Sequence, residues 1–242
     1  MKRFYKSVGI AEEENGFSVR LDDRPVKTPA KNQLLLPNRE LADAVAAEWD
    51  RQPEDVDAHS MRLTRLANSA IDRVTEHRLA VIAEISGFGD TDLVCYRAAE
   101  PASLAKRQEE GWGPLVPWVA ERHGIELNIT TGLLPVAQSD GSAKAVQIAV
   151  ESFDVFSLAG LHLVTSACGS VVLGLAVADA RIDGATACEL SLVDETFQIE
   201  EWGEEPEATK RRAGLLEDIT AAAEYLRLCR AGIESGSLKA GH

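Results

Sequence analysis

No run of about 18 or more apolar residues interrupts this chain, so nothing in it reads as a membrane-spanning helix. No pair of its four cysteines, Cys95, Cys168, Cys188 and Cys229, forms a CxxC, which argues against a zinc cluster or a disulfide framework and for buried thiols. Five histidines are present, none in an HExxH spacing, and His162 sits in an apolar helix as a core histidine would. A GxSxG elbow is absent. The Gly169–Gly174 segment is followed by Leu175 and Ala176 where a phosphate loop needs Lys and Ser or Thr, so it reads as close helix packing. Gly87-Phe88-Gly89 has no third glycine at the dinucleotide-binding spacing. Positive charge is scarce: the formal net charge is -14 over 242 residues. A surface of that sign repels phosphate backbones and anionic lipid, keeps a protein in solution and favours a basic partner. The sequence begins Met-Lys-Arg-Phe-Tyr and runs directly into strand-like residues, which leads us to expect no targeting peptide and a cytoplasmic location.

What is present is ordinary globular material, 45% hydrophobic and long enough for a sizeable core. Phe4–Ile10, Gly16–Leu21, Pro25–Thr28 and Gln33–Leu36 read as short strands of an antiparallel meander, with Asn15-Gly16 and Asp22-Asp23-Arg24 as tight connections. Pro37-Asn38 opens a helix with Leu41, Val45 and Trp49 on one face, ending near Pro53. From Arg62 on, the pattern is helical: a segment through Leu63, Leu66 and Ala70, one over Leu79–Ile85, a long helix over Ala102–His123 and core helices over Ser157–Cys168 and Ser170–Ala180. Further helices follow over 184–202 and Leu215–Leu228, with a Gly/Ser-rich tail after Arg230. The expected fold class is α+β: a β-rich N-terminal domain with a covering helix over 1–85, then a larger helical domain over 86–242, the boundary falling between 60 and 90.

Chemistry-bearing residues are scattered. Asp90 and Asp92 form either a carboxylate pair or helix caps. With Tyr96, Arg97 and His123 they are the raw material of an enzyme reading. The segment from Arg181 to Glu207 holds nine acids, Asp183, Glu189, Asp194, Glu195, Glu200, Glu201, Glu204, Glu205 and Glu207, against one base. On a continuous helix, Cys188, Leu192 and Ile199 line one stripe with Glu195 inside it, and Ala187, Leu190 and Phe197 line a second with Asp194 inside it. A carboxylate within an apolar stripe is costly unless paired, so it is either internally ion-paired or partner-facing.

A set of ordered short motifs runs through most of the chain. Phe4-Tyr5, Gly16-Phe17, Leu21-Asp22 and Lys27-Thr28-Pro29 are followed by Glu48-Trp49-Asp50, Gln52, Leu63-Thr64, Asn68 and Asp72. Then come Asp90-Thr91-Asp92, Cys95-Tyr96-Arg97, Glu100-Pro101 and Trp112, and finally Glu195, Gln198-Ile199 and Trp202-Gly203. In their order and spacing over residues 4–203 they closely resemble the F₁-ATPase assembly chaperones that bind the free alpha subunit, a family of mitochondria and alpha-proteobacteria. The resemblance implies a non-enzymatic, monomeric chaperone without metal or cofactor, which shields the alpha subunit's interface until the hexamer forms. It implies a small β-containing domain followed by an orthogonal helical bundle. It points to Glu195, with Asp194, Gln198, Glu201 and Trp202, as partner-binding residues, and to Trp49, Asp50, Asn68, Asp72, Asp90, Asp92 and Tyr96 as family motif positions. Two competing readings are the enzyme above and a generic acidic adaptor with many basic clients.

Overall fold

The computed structural model describes residues 2–132, 134–203 and 205–239, with backbone alone for 232–239. Glu204 and His242 lie outside the described residues. The architecture is α+β, a small antiparallel sheet followed by helices. Two compact units are formed. One takes the chain up to Arg78, residues 155–160 and the chain from Glu224 on; the other takes Leu79–Asp154 and Leu161–Ala223.

In the first unit, β1 (Val8–Glu13) pairs antiparallel with β2 (Gly16–Leu21), which also pairs with β3 (Arg24–Pro25) and β4 (Leu35–Leu36). The register pairs Glu13 with Gly16, so the turn is Glu14-Asn15, one residue earlier than the sequence suggests. Gly16 has φ +147, and the carbonyl of Leu36 occupies the place where a Cβ would stand, so no other residue fits. Asp22 and Asp23 turn between β2 and β3 with φ of 46 and 67, the left-handed pair of a tight hairpin. The Asp22 carboxylate accepts from the backbone N–H groups of Ser7 and Lys6, which holds its pKa below the usual range. The strand expected from Phe4 begins only at Val8, and Phe4 itself is exposed.

Helix α1 (Arg39–Asp50) is capped by Asn38, whose side chain accepts from the N–H of Leu41, and it buries Leu41, Ala42 and Val45. Trp49 is only partly buried; its ring meets Tyr5 edge-on at 5.9 Å, and its carbonyl accepts from the Tyr5 hydroxyl at 2.6 Å. Glu48, on the inner face of α1, accepts from the N–H groups of Leu63 and Thr64, both at 2.8 Å. It thereby caps α2 (Arg62–Ser69), whose own N-cap side chain makes no capping bond. Helix α2 runs through a π turn at Ala70–Val74 into α3 (Thr75–Gly87), which bends at His77.

In the second unit, two 3₁₀ turns lead to β5 (Tyr96–Arg97), which pairs in parallel with β6 (Thr130–Thr131). The helix expected over 102–123 is two, α4 (Ala102–Trp112) and α5 (Leu115–His123). They part at Gly113-Pro114, where proline offers no N–H to continue the ladder. Next come α6 (Asp140–Glu151), α7 (Val155–Cys168) and the wholly buried α8 (Val171–Ala178). Gly169 turns between α7 and α8 at φ +65. His162 is half-buried, not in the core, and lies 3.0 Å from the exposed Glu84.

The helix expected over 184–202 also divides, into α9 (Gly184–Ser191) and α10 (Val193–Trp202). Ser191 Oγ donates to the carbonyl of Cys188, and Leu192 leaves helical geometry at φ -110, ψ 16. Asp194 and Glu195 then lie in the first turn of a new helix, where its dipole favours negative charge. The last helix, α11 (Pro206–Lys239), continues through the stretch expected to be a loose tail. All four cysteines are buried, and burial pushes the thiols of Cys95 and Cys168 up to about 12.

Candidate partner-binding surface

The break at Leu192 resets the two stripes. Ala187, Cys188 and Leu192 remain buried, but no residue of α10 is. Helix α10 is a surface helix held by polar contacts. The side chain of Gln108 on α4 donates to Asp194 Oδ1 at 2.6 Å and accepts from the N–H of Ala98 at 2.7 Å, while its carbonyl accepts from Arg97 Nη1 at 2.6 Å. Arg211 on α11 ion-pairs with Glu195 Oε2, and the other oxygen, Oε1, is sheltered without a hydrogen-bond partner among the described residues. Arg212 Nη2 donates to Thr196 Oγ1 at 3.0 Å. Arg107 pairs with Glu200 at 2.6 Å and lies over the Phe197 ring. Those contacts tie α10 to α4 and α11. Gln198, Glu201 and Trp202 of the same helix are exposed to solvent, Trp202 by 81%. Tryptophan is a residue type enriched at protein contact surfaces.

Beside α10 lies a cavity of about 600 Å³. Its lining includes Cys188, Leu192, Val193 and Leu216, with Arg107 and Arg212 among its polar members. The ion pair weighed for Glu195 is present, and its partner is Arg211 of α11.

The other singled-out residues divide. Asp92 is fully buried and accepts from Ser170 Oγ at 2.6 Å and from the N–H groups of Val172 and Val94, both at 3.1 Å. Burial lifts its carboxyl to about 6 against the pull of those hydrogen bonds. Asp72 accepts from Thr28 Oγ1 at 2.6 Å, Asn32 Nδ2 at 2.9 Å and the N–H of Ala30 at 3.0 Å, fixing the turn that leads to β4. Burial would raise its pKa, but those donors outweigh it and lower it. Asp50 is exposed and paired with Arg3. Asn68 Oδ1 is sheltered and has no partner among the described residues.

Asp90 is exposed on the wall of a second groove, and Tyr96 is half-buried in β5. Arg97 is buried over the Trp112 ring, and His123 Nε2 lies 3.1 Å from Asp179. Neither of these two cavities brings more than one of Asp90, Asp92, Tyr96, Arg97 and His123 to its wall. Among the described residues no group of three or more His, Cys, Asp or Glu is placed to hold a metal ion, and no helix is long and apolar enough to cross a membrane. Sequence reasoning named Glu48 only within a motif, without its capping role, and missed Gln108. The inward placement of Glu48 was findable, because it lies seven residues after Leu41 on the apolar face of α1. Nothing local marks Gln108.

Comparison with known proteins places these observations. Residues 2–120 match the family model described as ATP12 chaperone protein. The crystal structure of Atp12 from Paracoccus denitrificans is similar at 43% identity and a TM-score of 0.90, covering 94% of this chain and 97% of that chain. A point mutant of the same protein gives the same values. A protein of Agrobacterium tumefaciens is 37% identical with a TM-score of 0.90, over 94% of this chain and 86% of that chain.

Proposed function

This chain belongs to the ATP12 chaperone family, and from that premise we propose that it binds the unassembled alpha subunit of the F₁-ATPase and shields its subunit interface until the hexamer forms. It does so as a monomer in the cytoplasm, by binding alone and without catalysis. The observation that carries this reading is the exposed stripe of α10, where Gln198, Glu201 and Trp202 stand in solvent on a helix tied down at Asp194 and Glu195. A free subunit exposes an apolar, aggregation-prone face. Trp202 supplies a matching apolar anchor, and the carboxylates set orientation and speed of encounter with a basic rim. Asp194 and Glu195 support the site by fixing the helix that carries it, through Gln108 and Arg211. Release follows from competition by the beta subunit, so the contact has moderate affinity.

The test is co-expression with isolated alpha subunit, reading how much alpha stays in solution. Glu195→Lys and, separately, Trp202→Ala abolish that rescue while each purified variant melts within a few degrees of the parent. Full rescue by both folded variants overturns the assignment of α10. Recovery of many unrelated basic proteins in place of alpha identifies a generic acidic adaptor.

A further inference from the structure

A second surface on the same unit is built to receive a helix. The groove of about 750 Å³ runs between α3 and α6. Its walls are Leu79, Ala83 and Gly87 from α3 and Ala143, Lys144 and Gln147 from α6. Residues at 79, 83 and 87 fall on one helical stripe, as do 140, 143, 144, 147 and 151, so each helix turns a single face to the groove. The small residues leave the floor low. Over Gly87 a Cβ would meet nothing within 4 Å, so the space there is open. Apolar surface is exposed on both helices: Leu79, in the groove's lining, is 77% exposed, and Ile148, the residue after Gln147 on α6, is 58% exposed. Folding does not require a large aliphatic side chain in water at either place.

Charge decides the occupant. The groove's lining includes Asp90, Asp140 and Glu151 against one base, Lys144. An anionic lipid surface or a nucleic acid is repelled by that rim. The walls are two helices with no open strand edge, so an extended peptide finds no backbone ladder to join. We propose that this groove docks a helical segment of a protein client, one with an apolar stripe flanked by lysine or arginine. The stripe lies on Ala83, Gly87 and Ala143 between Leu79 and Ile148, and the flanking cations meet Asp90, Asp140 and Glu151. This proposal goes beyond the role assigned to α10 and does not depend on it.

The full chain is titrated with a synthetic helical peptide carrying leucines on one stripe and lysines beside it, and with the same peptide carrying glutamates for lysines. The blocking variant is Gly87→Leu. Gly87 has helical φ of -60 and open space around it, so leucine fits the backbone and removes a weak helix former. The lysine peptide binds the parent, and Gly87→Leu weakens it by about tenfold or more with the melting temperature unchanged or raised, because the filled floor excludes the stripe. The glutamate peptide binds neither. Trp202→Ala binds the lysine peptide as the parent does. Equal affinity of parent and Gly87→Leu, equal affinity for the glutamate peptide, or loss of binding in Trp202→Ala each overturns the groove as the docking site. None of those results bears on alpha-subunit rescue, so the two assignments fail separately.

Discussion

Three carboxylates of the first unit and those of helix α10 are held in different ways. In the first unit, Glu48 accepts from the N–H groups of Leu63 and Thr64, Asp72 from that of Ala30, and Asp22 from those of Lys6 and Ser7. On α10 the donors are side chains: Gln108 for Asp194, Arg211 for Glu195, Arg107 for Glu200. Glu201 makes no hydrogen bond or ion pair among the described residues. A backbone donor is fixed by the fold, so the carboxylate that meets it is part of the fold. A side-chain donor swings on rotatable bonds, and a client's cation can stand in for it. Glu48, Asp72 and Asp22 are clasps. Those of α10 are exchangeable.

Asp92, although in the second unit, is a clasp, and removing it should give the largest effect. Asp92→Ala leaves the buried donors of Ser170, Val172 and Val94 without their acceptor, and urea denaturation should show a loss of about 3–5 kcal/mol. Its pH signature has a definite sign. A carboxyl raised from 3.8 to about 6 by folding contributes stability that is full below 3.8 and is lost as pH rises through 6. The parent therefore loses stability across that window, and Asp92→Ala flattens the slope. An unchanged slope means that another group carries it. Next in size is Glu48→Ala, which uncaps α2 at about 2–3 kcal/mol, read by the same denaturation. Smallest is Glu201→Lys, expected within about 0.5 kcal/mol of the parent, since the side chain is exposed and unbonded. If Glu201→Lys unfolds the protein as readily as Glu48→Ala does, the division between clasp and exchangeable acid collapses.

Legibility in the sequence followed the range of the interaction. The β1–β2 hairpin, the Asn38 cap of α1 and the Gly169 turn between α7 and α8 each rest on contacts a few residues apart, and each was readable. The end of α9 was not. No glycine or proline stands there, and the Ser191 hydroxyl bonds back to Cys188 where the chain leaves helical geometry at Leu192. Asp72 and Asp92 stood out as motif positions, but their partners Thr28 and Ser170 lie 44 and 78 residues away, so a clasp looked no different from a site. Gln108 and Asp194 are 86 residues apart, and neither announces the other.

The burial of the four cysteines has a practical side. Alkylating reagents react with thiolate, and a thiol pushed up to about 12 holds on the order of one part in ten thousand in that form at pH 8. Cys95 and Cys168 are chemically quiet as well as sheltered, and Cys188 and Cys229 share their burial. A cysteine introduced at the exposed position of Trp202, or at the open position of Gly87, would take a maleimide dye or crosslinker ahead of the native thiols. The wild-type chain is thus nearly ready for site-specific labelling, and the two surfaces can be reported on one at a time.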